Sequence, residues 1–245
     1  MFQFYYKNKK GIKRYYIPIH MSHNIEKIFY INLDKRTDRR EEIESDLKKY
    51  GLEAERYSAV HTPNAGIVGC GYSHLNVLKL AKERGYKNVL ILEDDFEFTV
   101  SPEEFEESLN QFFETTPNSS GDRRSPTELV VGGVNAPLPD YDVCMLAYIV
   151  QEAAEIPGNT VVGRVLNGQT AAGYIVNGKY LDVLIELYEW AIPLLEQTNE
   201  HWNYANDHVW KRLQPKDNWV YMLKRLGKQR DSYSDNKMCY VTPNT

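Results

Sequence analysis

Asn88-Val89-Leu90-Ile91-Leu92-Glu93-Asp94-Asp95 is the stretch on which the fold of this chain turns. Val89 to Leu92 is an apolar run without polar alternation. That is the pattern of a strand buried on both faces, so it belongs near the centre of a sheet. The run passes directly into three consecutive carboxylates, Glu93, Asp94 and Asp95. At ~4–6 Å separation and an effective dielectric of ~20, each like-charged pair costs about 3–4 kcal/mol. A bound cation removes that penalty. Hard oxygen donors select Mg²⁺, Mn²⁺ or Ca²⁺, and an ion held by one or two carboxylates keeps positions open for substrate oxygens, typically those of a diphosphate. The alternative is an acidic turn whose three side chains splay into water.

Upstream, Ile28-Phe29-Tyr30-Ile31 suits a buried strand ended by Asn32-Leu33-Asp34. A helix follows: Asp38 stands three residues before Glu41 as in a capping box, Ile43, Leu47 and Tyr50 mark one face, and Gly51 stops it. Arg56 to Val60 reads as a second strand, His61 to Gly69 as a loop, and about Cys70 to Arg84 as a second helix with Leu75, Leu78 and Ala81 inward and Gly85 closing it. Strand–helix–strand–helix–strand predicts an α/β fold with a mostly parallel sheet. Ligands of such sheets bind beyond the carboxyl ends of the strands. Asn32-Leu33-Asp34 and Glu93-Asp94-Asp95 converge on that edge.

Three further segments carry candidate chemistry. Asn32 to Arg40 places Lys35, Arg36, Arg39 and Arg40 on the turn into the first helix, where guanidiniums and helix N-terminal amides both favour phosphate. Pairing of Arg39 and Arg40 with Glu42, Glu44 and other surface acids is the plain alternative. Gly69-Cys70-Gly71-Tyr72-Ser73-His74 is a glycine-flanked helix start that brings Ser73 and His74 toward the carboxylates. Asn206-Asp207-His208 opens a later helix, with Asp207 either its N-cap or a carboxylate reaching the site.

Elsewhere the pattern is plainer. Residues 1–24 read as an N-terminal extension, locally basic and interleaved with tyrosines, suited to an anionic surface or a partner, or else a solvated tail. Glu114 to Thr127 reads as a loop, and structure resumes with Leu129 to Val131, Asp142 to Val150 and Thr170 to Val176. A helix at about Lys179 to Trp190, another near Asn206 to Leu213 and an apolar run at Trp219 to Met222 follow. A formal charge of −5 with mixed signs disfavours a nucleic-acid partner. No apolar run approaches the ~20 residues of a membrane span, and no secretory apolar segment opens the chain. Cys70, Cys144 and Cys239 form no CxxC pair, which points away from a zinc site and from a disulfide framework, and suits a reducing compartment.

Taken together, the segments resemble glycosyltransferase family 25, which includes bacterial lipo-oligosaccharide galactosyltransferases and collagen hydroxylysine galactosyltransferases. The resemblance rests on Tyr30-Ile31-Asn32-Leu33-Asp34 with Arg36, Asp38, Arg39 and Arg40, on Gly69-Cys70 with Ser73-His74, and on Leu90 to Asp95. Weaker echoes lie at Asp142, at Thr170 to Tyr174, at Asp207, and at Gln229 followed by Ser234-Asp235. The resemblance implies a GT-A fold over residues 25–240: a Rossmann-like nucleotide-sugar half over about 25–112, the loop over about 114–127, and an acceptor half over about 128–240. It implies a UDP-sugar donor, usually UDP-galactose, with Mn²⁺ (or Mg²⁺) and inversion at the anomeric carbon. Carried across, Asp95 and Glu93 are the metal ligands, with Glu93 nearer the ribose or a metal-bound water. Asn32, Leu33, Arg36, Arg39, Ser73, His74 and Glu93 line the nucleotide sugar. Asp94 and Asp207 are the catalytic carboxylates, with Asp207 the candidate base. Phe96 departs from the aliphatic residue that often follows the triplet. The implied acceptor is a hydroxyl of a glycan or of a collagen-like protein, a homodimer is left open, and a cytoplasmic bacterial or viral enzyme is expected. The competing classes are a degenerate glycan-binding module and a metal-dependent phosphoryl-transfer enzyme.

Overall fold

The computed structural model describes the backbone of residues 3–8, 11–16, 24–115, 141–234 and 239–241, and the side chains of 24–115 and 141–231. The elements run in chain order as β1 (Gln3–Asn8), β2 (Gly11–Tyr16), β3 (Lys27–Asn32), α1 (Thr37–Lys49), β4 (Glu55–Ser58), α2 (Gly66–Glu83), β5 (Asn88–Glu93), β6 (Phe96–Phe98) and α3 (Pro102–Thr115). After the undescribed stretch come β7 (Val143–Met145), β8 (Ile149–Ala154), β9 (Val162–Gln169), β10 (Gly173–Asn177), α4 (Leu181–Thr198), α5 (His201–Tyr204) and α6 (Asn206–Val209). β11 (Trp219–Met222), β12 (Gly227–Gln229), β13 (Ser232–Ser234) and β14 (Cys239–Val241) complete it.

The centre is an eight-stranded sheet in the order β4-β3-β5-β10-β7-β11-β9-β8. The pairings β3–β4, β3–β5 and β7–β11 are parallel and the rest antiparallel, so six of the eight strands run one way and only β9 and β10 are reversed. The expected α/β class and mostly parallel sheet flanked by helices are what the chain adopts. Alternation explains the unbroken apolar runs. Phe29, Ile31, Val89 and Ile91 pack on one face against α2 and α4, while Ile28, Tyr30, Leu90 and Leu92 pack on the other against α1 and α3.

Several boundaries differ from the sequence reading. α2 begins at Gly66, not near Cys70. The Thr62 hydroxyl holds this first turn, accepting the Gly69 amide at 3.0 Å and donating to the Ala65 carbonyl at 2.6 Å. A Cβ at Gly69 would stand 2.3 Å from the Val60 carbonyl oxygen, so the glycine admits a close approach instead of breaking the helix. α4 continues past Trp190 through Pro193 to Thr198. α3, absent from the sequence reading, starts at a reciprocal capping box: Ser101 N–H donates to Glu104 and Glu104 N–H to the Ser101 hydroxyl, at 3.1 and 3.2 Å. Its Phe105, Leu109, Phe112 and Phe113 are buried. At the amino end, β1 and β2 pair as an antiparallel hairpin within the predicted extension. Most of the loop expected over 114–127 lies outside the described residues.

Candidate active site

The carboxyl ends of β3 and β5 lie side by side, with Ile31 opposite Glu93. The chain then turns through Asp94 and Asp95 into β6, which pairs with β12 so that Gln229 faces Phe96. The Phe96 ring fits because Gly173 and Gly227 carry no side chains; a Cβ on either would approach it to 2.3 and 2.1 Å. An aromatic at this position is therefore built into the turn.

The acidic triplet does not splay into water. Asp94 and Asp95 are 7% and 4% exposed. Asn32 donates to Asp94 Oδ2 at 2.7 Å, and Arg39 Nη1 bridges Asp94 Oδ1 at 2.9 Å and Asp95 Oδ2 at 3.1 Å. Gln229 Nε2 donates to Asp95 Oδ2 at 3.0 Å, and the Arg230 amide to the Asp95 carbonyl at 2.6 Å. Asn32 is itself oriented by Arg56, whose Nε donates to its Oδ1 at 3.0 Å. Burial, reinforced by the charge of Glu93, pushes the Asp95 carboxyl up from 3.8 to about 7 despite Arg39. Asp94 is raised by burial too, against Arg39 and the Asn32 hydrogen bond. Asp95 Oδ1 is buried with no hydrogen-bond partner. A desolvated hard oxygen without a donor, in a cluster with excess negative charge, fits a divalent cation of the Mg²⁺ or Mn²⁺ kind.

Glu93 turns toward the opposite side of the turn. His74, fully buried on α2, sets Nε2 2.9 Å from Glu93 Oε1 and Nδ1 2.8 Å from the Tyr174 hydroxyl. The Cys70 thiol donates to Glu93 Oε1 at 3.6 Å. Burial opposes ionisation of Glu93, but the hydrogen bond and charge of His74, with Cys70 and Arg39, hold its carboxyl below the ordinary value. Asp207 completes the group. It is not the N-cap of α6, which makes no side-chain cap bond; its Oδ2 instead accepts the Thr170 amide at 3.2 Å. Thr170 sits at φ 90°, a left-handed conformation that this contact helps to hold. Burial raises the Asp207 carboxyl, and the charge of Glu93 adds to it against His208 and Lys211.

Asn32, Arg39, His74, Glu93, Asp94, Asp95 and Asp207 thus converge, as their positions on strand ends and helix starts suggested. Three candidates do not. Arg36 turns back on Asp38 with contacts of 3.0 and 2.8 Å. Leu33 contributes a backbone carbonyl that closes the turn onto the Arg36 amide at 2.9 Å. Ser73 is fully buried, accepting the Val60 amide at 2.8 Å and donating to the Gly69 carbonyl at 2.6 Å, so it fastens the preceding loop to α2 and faces away from the edge. Neighbouring positions on α2 point about 100° apart, so with His74 on the site side Ser73 falls on the loop side. Asp142 lies at the amino end of β7, away from the site, where it accepts the Asn218 amide at 2.8 Å. Arg40 makes the surface pair with Glu44, at 2.9 Å.

Gln229 and Tyr174 take larger parts than any local signal assigned them. Gln229 arrives through the β6–β12 pairing and Tyr174 through the antiparallel β5–β10 pairing, both contacts between residues far apart in the chain. Cys70 had a hint in its spacing: with His74 it stands at i and i+4 on one helix face.

No family model matches the chain. One curated relative, a Drosophila melanogaster protein described as "Glycosyltransferase 25 family member", is 30% identical over a stretch covering 31% of this chain and 17% of the relative. The chain therefore spans under a fifth of the length of the curated relative it matches. Among solved structures, a glycosyltransferase involved in glycosylation of the major capsid of PBCV-1 is 12% identical with a TM-score of 0.44, over 86% of this chain and 95% of that one. The glycosyltransferase GlyE of Streptococcus pneumoniae TIGR4 is 17% identical with a TM-score of 0.37, over 82% of this chain and 39% of that one. Among the described residues no helix is long and apolar enough to cross a membrane.

Proposed function

We propose that the chain is a metal-dependent GT-A glycosyltransferase that moves a hexose, galactose being the expected sugar, from a UDP-sugar to a hydroxyl of a glycan or a collagen-like protein, with inversion. The observation that carries this reading is the buried carboxylate turn Glu93-Asp94-Asp95, clamped by Asn32, Arg39 and Gln229 yet retaining an orphaned Asp95 oxygen. The partial match to a family 25 glycosyltransferase supports the same reaction class.

Asp95, with Asp94, would hold the divalent ion, which when bound offsets the charge that builds on the departing diphosphate. Arg39 bridges Asp94 and Asp95, and its guanidinium would give charge-assisted hydrogen bonds to an incoming phosphate. Both oxygens of Asp94 are held, one by Asn32 and one by Arg39, which suits a charge-bearing role better than proton transfer. Asp207 is the carboxylate left to take the acceptor proton, and its raised affinity for protons suits a general base. The reading is tested by melting the protein with Mn²⁺ and UDP together and by measuring UDP released from a panel of UDP-sugars. Saturation at ~100 times the dissociation constant adds about 2.7 kcal/mol. If no UDP-sugar shifts the melt or yields UDP, the proposal fails.

A further inference from the structure

The side of the turn facing α2 carries a donor set of a different kind. One ligand atom from each of Cys70, His74 and Glu93 lies within 4.8 Å of the other two, with Glu93 Oε1 3.6 Å from Cys70 Sγ and 2.9 Å from His74 Nε2. We propose that these three side chains form a second metal site, selective for a thiophilic divalent cation of the Zn²⁺ class and separate from the all-oxygen Asp94–Asp95 pair.

The geometry favours this assignment on three counts. Cys70 and His74 are one helical turn apart on α2, so a rigid element presents sulfur and nitrogen to the same point. A tetrahedral ion with bonds of ~2.0–2.3 Å needs ligand atoms about 3.3–3.8 Å apart. The Cys70–Glu93 distance of 3.6 Å already lies in that range, and the 2.9 Å His74–Glu93 contact needs only a small turn of the carboxylate. The outer partners are also in place. The Tyr174 hydroxyl bonds His74 Nδ1 at 2.8 Å, fixing the ring with Nε2 inward, and Asn206 Nδ2 donates to the Cys70 sulfur at 3.7 Å. Groups of this sort orient metal-bound imidazoles and thiolates. Binding exchanges the thiol proton for the metal–sulfur bond and releases that proton to solvent. Three protein ligands leave a fourth position, and Glu93, whose side chain is 21% exposed, opens the site to solvent. A sulfur-containing set prefers Zn²⁺ or Co²⁺ to Mg²⁺ or Mn²⁺, so the two sites divide cations by ligand softness.

The test is titration of the metal-free protein with Co²⁺, without nucleotide, followed by absorption and by competition with Zn²⁺. One equivalent should produce a sulfur-to-cobalt charge-transfer band that Zn²⁺ abolishes and excess Mg²⁺ leaves in place. Cys70→Ser should remove the band, and His74→Gln should weaken Co²⁺ binding at least tenfold, while Asp95→Asn should retain the band. Circular dichroism melts identify any variant that fails to fold; Glu93→Gln, which keeps a hydrogen-bonding side chain of the same shape, should then show the same tenfold loss. A cobalt complex without the band, or a band that survives in Cys70→Ser, overturns the site. Because the readout needs no sugar donor, it stands or falls independently of the transferase reading.

Discussion

Replacing Asp95 by Asn should make the metal-free protein more stable, and more so as pH rises. Asp95 is 4% exposed, and burial beside Glu93 raises its carboxyl from 3.8 to about 7. That difference corresponds to about 4 kcal/mol favouring the protonated form in the fold. Below pH ~4 the carboxyl is protonated in folded and unfolded chains alike. As pH climbs toward 7, the unfolded chain gives up the proton while the fold retains it, so stability falls by about 1.4 kcal/mol per pH unit. Asparagine has nearly the same shape, accepts from Gln229 or Arg39 through its oxygen, and does not titrate. The stability of Asp95→Asn relative to the native protein should therefore rise by about 2–3 kcal/mol between pH 5 and pH 8, or about 5–10 °C in Tm for a chain of this size. Glu93 titrates below its ordinary 4.5 and stays outside that window. Guanidinium denaturation in chelator at the two pH values measures the effect, and Mn²⁺ with UDP should stabilise only the native protein. A stability difference that is the same at pH 5 and pH 8 would refute the idea that Asp95 is held in an unfavourable buried charge state.

Arg39→Met removes the cation shared by Asp94 and Asp95; calorimetry of UDP in Mn²⁺ should show at least a tenfold loss of affinity, matching the ~1.5–3 kcal/mol of a charged hydrogen bond. Asp207→Asn should lower kcat by about 10²–10⁴ while leaving the melting shift with Mn²⁺ and UDP intact, and loss of that shift would reassign Asp207 to donor binding. Ser73→Ala orphans the Val60 amide and should cost about 1–3 kcal/mol in denaturant titration with UDP affinity unchanged.

The central strands and the carboxylate turn were legible because they depend on local pattern. An apolar run at Val89 to Leu92, the strand–helix alternation around it and three acids at the strand end are enough to place Glu93, Asp94 and Asp95 on the ligand edge. Asn32 and Arg39 followed from the same logic at the end of β3. The start of α2 was not legible, since Gly66 and Gly69 read locally as a loop. The helix forms there because the Thr62 hydroxyl and the Val60 carbonyl pack against a glycine face. α3 was legible in principle: the Ser101–Glu104 box and the spacing of Phe105, Leu109 and Phe112 announce it.

Sequence by itself thus determined the α/β class, the central strand and the identity of the acidic triplet, all set by periodicity over a few neighbouring residues. Tertiary structure alone decided which way each acid faces. Asp94 and Asp95 turn to Asn32, Arg39 and Gln229, and Glu93 turns to Cys70 and His74, because β3, α1, α2 and β12, separate from β5 in the chain, supply the partners. Charge state follows from that burial, and no run of letters contains the dielectric in which a carboxyl will sit.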